Sequence, residues 1–128
     1  MIYLDTSVAL AHLFAEDRRP PNSLWDEELI SSRLLEYELW TRIHARGLTQ
    51  SHSATARWIL GRTTLVGMVP PVLARALEPF PRPVRTLDAL HLATAVYLRA
   101  QGASIFIASY DAGLTETARQ LGFPFASL

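Results

Sequence analysis

The hydrophobic pattern of the chain changes period at residue 5. "IYL" is a short unbroken apolar run, as expected of a strand covered on both faces. The following "DTSVALAHLFAED" sets Ala9, Leu10, Leu13 and Phe14 along one side of a helix, with Thr6 or Ser7 as its expected cap. "RRPPNS" interrupts the chain. "ELISS" then predicts a second strand and "SSRLLEYELWTRIHARG" a helix, with Leu35, Leu39 and Ile43 stacked at i, i+4 and i+8. Ser32 is its expected N-cap and Gly47 its stop. "SHSATARWILGR" predicts a further helix, "TTLVGMV" a third strand, and "PPVLARALEPF" a short helix opened by its proline pair. Beyond the rigid "PRPVR", residues 84–98 form a mostly apolar or small run that reads as a helix. The strand "SIFIAS", the helix "DAGLTETARQLG" and a terminal strand "FPFA" complete the order. Strands alternating with helices imply an α/β fold around a parallel sheet. With 128 residues, no internal repeat and no low-complexity segment, a single domain over 1–128 is expected.

Asp88 disturbs this pattern. It stands near the start of a helix that is nearly apolar all round from Leu87 to Leu98 and is therefore expected to be buried. An unpartnered buried carboxylate costs several kcal/mol or more, so a cation is expected near it. Asp5 follows the first strand and Asp111 follows "SIFIAS". Both lie at carboxyl ends of strands, where open parallel sheets place their ligand crevice. Asp88 and the acids of "LLEYEL" lie on helices able to pack beside those ends. Such an oxygen-rich pocket suits Mg²⁺ or Mn²⁺, hard cations that take carboxylates and keep several waters. Each acid also has a plainer reading: Asp5 and Asp111 as helix caps, Glu36 and Glu38 as solvated charges, Asp88 as a complement to the helix dipole. His91, one turn beyond Asp88, is either a ligand or base, or the hydrogen-bonded core residue that a histidine on an apolar helix more often is. His12, His44 and His52 have no metal-ligand spacing, and Trp25, Trp40 and Trp58 read as core or interface anchors.

Composition narrows the chemistry. Hydrophobic residues make up 49% of the chain, against disorder. The absence of cysteine removes disulfides, thiol nucleophiles and thiolate metal sites. All 12 basic residues are arginine, so no phosphate-loop, Schiff-base or general-base lysine exists. The net charge of zero hides an asymmetry: residues 1–38 hold eight acids and three arginines, residues 39–87 seven arginines and only Glu78. An acidic cluster beside an arginine-rich segment fits a metal pocket next to a phosphate-binding surface. No apolar run reaches the ~18 residues of a membrane span. The N-terminus has no basic leader and is broken by Asp5, so a cytoplasmic location without membrane contact is expected.

"YLDTSVALAHLF", "SSRLLEYELWTRI", "RTLDALHLATA" and "IASYDAGLTETARQLGF" resemble, in order, the blocks of PIN-domain ribonucleases, and most closely VapC toxins of VapBC toxin–antitoxin systems. Residues 48–80 carry least of the likeness. The resemblance implies a parallel sheet of about five strands flanked by helices and a Mg²⁺- or Mn²⁺-dependent endoribonuclease. It also implies a homodimer, and a VapB-like antitoxin that blocks the catalytic groove in a hetero-oligomer. By position, the catalytic acids are Asp5, Glu38, Asp88 and Asp111, with Asp5 and Asp88 the main metal ligands and the other two acting partly through water. Thr6, Ser7 and Ser109 match polar neighbours of the site. Glu36 and Glu38 are about 200° apart on a helix, so only one can face the pocket; the family's serine pair followed by Glu-Leu and a basic residue selects Glu38. Arg85, beside the site helix, and Arg42 are candidates for holding the RNA backbone.

Other function classes fit less well. A haloacid-dehalogenase-type phosphatase needs a second Asp two residues after the first, where this chain has Ser7, and both it and a phospho-receiver module need a lysine. A housekeeping PIN-type RNA-processing nuclease and a non-catalytic PIN-like RNA-binding protein share the same acids. The identity of the RNA is not written in these motifs.

Overall fold

The computed structural model describes all 128 residues. Four strands, β1 (Ile2–Leu4), β2 (Leu29–Ser32), β3 (Thr63–Val66) and β4 (Phe106–Ala108), form one parallel sheet in the order β3-β2-β1-β4. Six helices surround it: α1 (Thr6–Leu13), α2 (Leu34–Ala45), α3 (Thr49–Arg62), α4 (Pro70–Leu77), α5 (Thr86–Ala100) and α6 (Ala112–Gln120). None is long and apolar enough to cross a membrane. From β1 the chain builds outward on one side through β2 and β3, then returns to add β4 on the other. That reversal opens a crevice beyond the carboxyl ends of β1 and β4.

The two-residue period of the strands divides the core. Leu4 packs with Val8, Leu35, Leu39, Ile43 and Ile59 beneath α1, α2 and α3. Its neighbour Tyr3 packs on the opposite face with Leu92, Ala95, Ile107 and Leu114 beneath α5 and α6.

Several expectations are corrected. The sheet has four strands, not about five, because "FPFA" is reduced to one parallel bridge, Ile107 to Phe125. Pro124 has no N–H to lend a ladder; its carbonyl accepts from Ile107, and Ala126 N–H closes the bridge. Helix α1 stops at Leu13 instead of running on to residue 17. Ala15 adopts a left-handed conformation (φ 48°), Glu16 N–H reaches back to Ala11 O, and Ala15 N–H to His12 O. That is the Schellman closure usually supplied by glycine, as Gly47 (φ 65°) supplies it after α2. Neither Thr6 nor Ser7 caps α1, because Asp5 holds the N-cap position and both hydroxyls are directed elsewhere. Arg33, not Ser32, precedes α2, although Ser32 Oγ accepts from Leu34 N–H. Finally, α5 is buried only along Ala89, His91, Leu92, Ala93, Thr94 and Ala95. Leu87 is 47% exposed and Asp88 half-buried at the rim of the crevice.

Candidate active site

Each candidate acid reaches the crevice from a different element. Asp5, 4% exposed, leaves β1 at the point where α1 begins. Its Oδ2 accepts from Ser7 Oγ (2.6 Å) and from Ser109 Oγ (2.8 Å). The same two serines accept from the chain beyond β4: Ser7 Oγ from Tyr110 N–H (2.9 Å), Ser109 Oγ from Asp111 N–H (3.0 Å). The strand-end loop is thereby fastened to the start of α1, and Asp111 is brought to the crevice mouth.

Asp111 caps α6 through Oδ1, which accepts from Leu114 N–H at 2.9 Å. Its Oδ2 accepts from Arg85 Nη2 at 3.0 Å. The capping reading and the pocket reading of this residue are thus compatible. Asp88, in the first turn of α5, places Oδ2 3.3 Å from Arg85 Nε. Arg85 is 80% exposed, yet its guanidinium spans both carboxylates.

Glu38 enters from α2. Its Oε1 accepts from Thr6 Oγ1 (2.9 Å) and lies 2.6 Å from His91 Nε2. Glu36 points away and pairs with Arg33 at 3.6 Å. His91 is buried and hydrogen-bonded, and it joins the core to the site, since its Nδ1 lies 2.8 Å from the hydroxyl of Tyr3. Sequence reasoning did not single out Tyr3. Its signal is weak, a lone tyrosine in an apolar strand two residues before Asp5.

Asp5, Thr6, Ser7, Glu38, Asp88, His91 and Asp111, with Arg42, Arg85 and Thr86 on the rim, line a cleft of about 330 Å³. Their electrostatics are uneven. Burial pushes the Asp88 carboxyl above its ordinary range and Asp111 adds to this, outweighing the opposing pull of Arg85. Burial also pushes Glu38 up, but hydrogen bonds from His91 and Thr6, and the charges of His91 and Arg42, hold it below its ordinary value. Burial works against a charged His91, yet the bond to Glu38 and the charges of Asp5, Glu38 and Asp88 raise it.

The donor set fits a hard divalent cation. Asp5 Oδ1, Glu38 Oε2 and Asp88 Oδ1 accept no hydrogen bond from the protein, while the other oxygen of each is held by neighbours. No three carboxylate or imidazole groups cluster tightly enough to hold an ion by themselves. A cation here would complete its shell with water or substrate oxygens, as Mg²⁺ commonly does.

A family model described as PIN domain matches residues 2–120. The chain belongs to the PIN-domain family. It is also 31% identical to Ribonuclease VapC47 of Mycobacterium tuberculosis (strain CDC 1551 / Oshkosh), over 99% of this chain and 96% of that protein. No solved structure matches the chain. Asp5, Glu38, Asp88 and Asp111 line one cleft, with Thr6, Ser7 and Ser109 bonded to two of them. Arg42 and Arg85 flank the opening.

Proposed function

We propose that this PIN domain, acting as one unit over residues 1–128, is a Mg²⁺- or Mn²⁺-dependent endoribonuclease and the toxin of a toxin–antitoxin pair. The observation that carries the proposal is the cleft itself. Acids from four separate segments meet at the sheet's switch point, and three of them keep one oxygen free. Full-length similarity to a protein named a ribonuclease supports RNA as substrate.

Asp5 and Asp88 supply the direct carboxylate oxygens, Glu38 and Asp111 hold water or a second position, and Ser7 and Ser109 fix the Asp5 carboxylate. When bound, the cation polarises the scissile phosphoryl group and lowers the pKa of water. Arg85 and Arg42 hold the RNA phosphates at the rim, where guanidinium groups neutralise backbone charge. Partners follow from the toxin reading: a VapB-like antitoxin seated on the cleft, a second copy of the chain in a homodimer, and cytoplasmic RNA.

The test uses the purified chain, total RNA and Mn²⁺. New RNA ends that disappear in excess EDTA are expected. Growth arrest on expression, relieved by the product of a small gene immediately upstream, is expected for the toxin role. RNA binding without any cleavage would replace this proposal with a non-catalytic one, and cleavage without growth arrest would assign a processing role.

A further inference from the structure

Glu38 is tied to the interior by a chain of buried polar groups. His91 and Tyr3 are each 2% exposed. His91 Nε2 lies 2.6 Å from Glu38 Oε1 and 3.2 Å from Thr6 Oγ1; His91 Nδ1 lies 2.8 Å from the Tyr3 hydroxyl. The Tyr3 oxygen accepts from Ser32 N–H at 3.2 Å, which leaves its proton for His91 Nδ1.

This arrangement selects one form of the ring. A neutral imidazole carries one donor and one acceptor. With Nδ1 accepting from Tyr3, the proton resides on Nε2 and points at Glu38. A doubly protonated ring keeps the same Nε2–H, so Glu38 faces a donor in either charge state of the ring, although the charged ring binds it more strongly. Together with Thr6, it occupies Oε1 and leaves Oε2 without a protein partner. A carboxylate fixed this way presents one oxygen in one orientation, the function that outer-shell partners perform at metal sites.

We propose that His91 is the positioning residue for Glu38, with Tyr3 setting its tautomer, so that β1 and α5 jointly aim the α2 carboxylate at the cation. The inference rests on the metal-dependent reading of the cleft.

Mn²⁺ titration by calorimetry on five full-length proteins tests it: wild type, H91N, H91Q, E38Q and the E38Q/H91N double variant. Glutamine can place an N–H near the Nε2 position, whereas asparagine ends near Nδ1. H91N is expected to weaken Mn²⁺ binding about tenfold, and H91Q to recover most of that loss. In the E38Q background H91N is expected to have no further effect. Equal losses from H91N with and without Glu38, or H91Q as weak as H91N, would assign His91 to packing alone and overturn the proposal. E38Q binding as tightly as wild type would overturn it too, while leaving Asp5 and Asp88 as ligands. Failure of the wild type to bind Mn²⁺ would instead overturn the metal-dependent reading, and this proposal with it.

Discussion

Ser109 Oγ donates to Asp5 Oδ2 at 2.8 Å, joining residues 104 positions apart. The bond ties the loop after β4 to the end of β1 and fixes the orientation of the most buried acid of the site. Ser109→Ala removes it and is expected to weaken Mn²⁺ binding about tenfold, a usual effect of losing an outer-shell hydrogen bond. Ser109→Thr keeps the hydroxyl and should bind near the wild-type level. Calorimetric titration of both variants provides the comparison.

Arg85 bridges Asp88 and Asp111 with a single positive charge. A divalent ion entering beside Asp88 competes with that guanidinium. Arg85→Ala is therefore expected to bind Mn²⁺ more tightly, by roughly three- to fivefold, in line with the small strength of exposed ion pairs. The same variant should raise KM for an RNA oligonucleotide, because a phosphate partner has gone. Opposite movement of the two constants distinguishes this role from damage to the fold.

Ala15 closes α1 in a conformation that its Cβ disfavours. Replacement by glycine removes that penalty. Ala15→Gly should stabilise the protein by about 1 kcal/mol despite glycine's more flexible unfolded chain. Urea unfolding with an unchanged slope and a higher midpoint is the expected result.

The Glu38–His91 pair makes metal-free stability depend on pH. Glu38 is held below its unfolded value, so its contribution is present above that value and lost as pH falls through the folded one. His91 is raised above 6.5, so its contribution is complete below 6.5 and lost as pH rises through the folded value. Asp88, also raised, loses its contribution as pH rises through its own folded value. In a chelator, the urea midpoint should therefore fall as pH rises above about 6.5, the ordinary value for an imidazole. Glu38→Gln should flatten that slope.

Much of this was legible in the sequence for physical reasons. Leu35, Leu39 and Ile43 repeat at helical spacing and are fully buried, and "IYL" is a short strand with Asp5 at its carboxyl end. Asp88 stood out as a carboxylate in an apolar run, Asp5 and Asp111 by their places after strands, and Glu38 only through the family's motif. The parts that could not be read depend on long-range partners. Whether "FPFA" pairs as a full strand depends on its neighbour and on Pro124. The hydroxyls of Thr6 and Ser7 bond to Glu38 and Asp5 instead of capping their own helix, because those carboxylates are stronger acceptors in reach. The role of Tyr3 appears only when α5 brings His91 to it, 88 positions away.

The most direct test of the central claim is the single-turnover cleavage rate of an RNA substrate in Mn²⁺, comparing wild type with Asp5→Asn and Asp88→Asn. Each substitution keeps the side-chain shape and removes one carboxylate charge from the cleft. The wild type should cleave, EDTA should abolish cleavage, and each variant should fall by at least about 100-fold, the scale of losing a group that stabilises transition-state charge. Variants that cleave as fast as wild type, or a wild type indifferent to EDTA, would contradict the account.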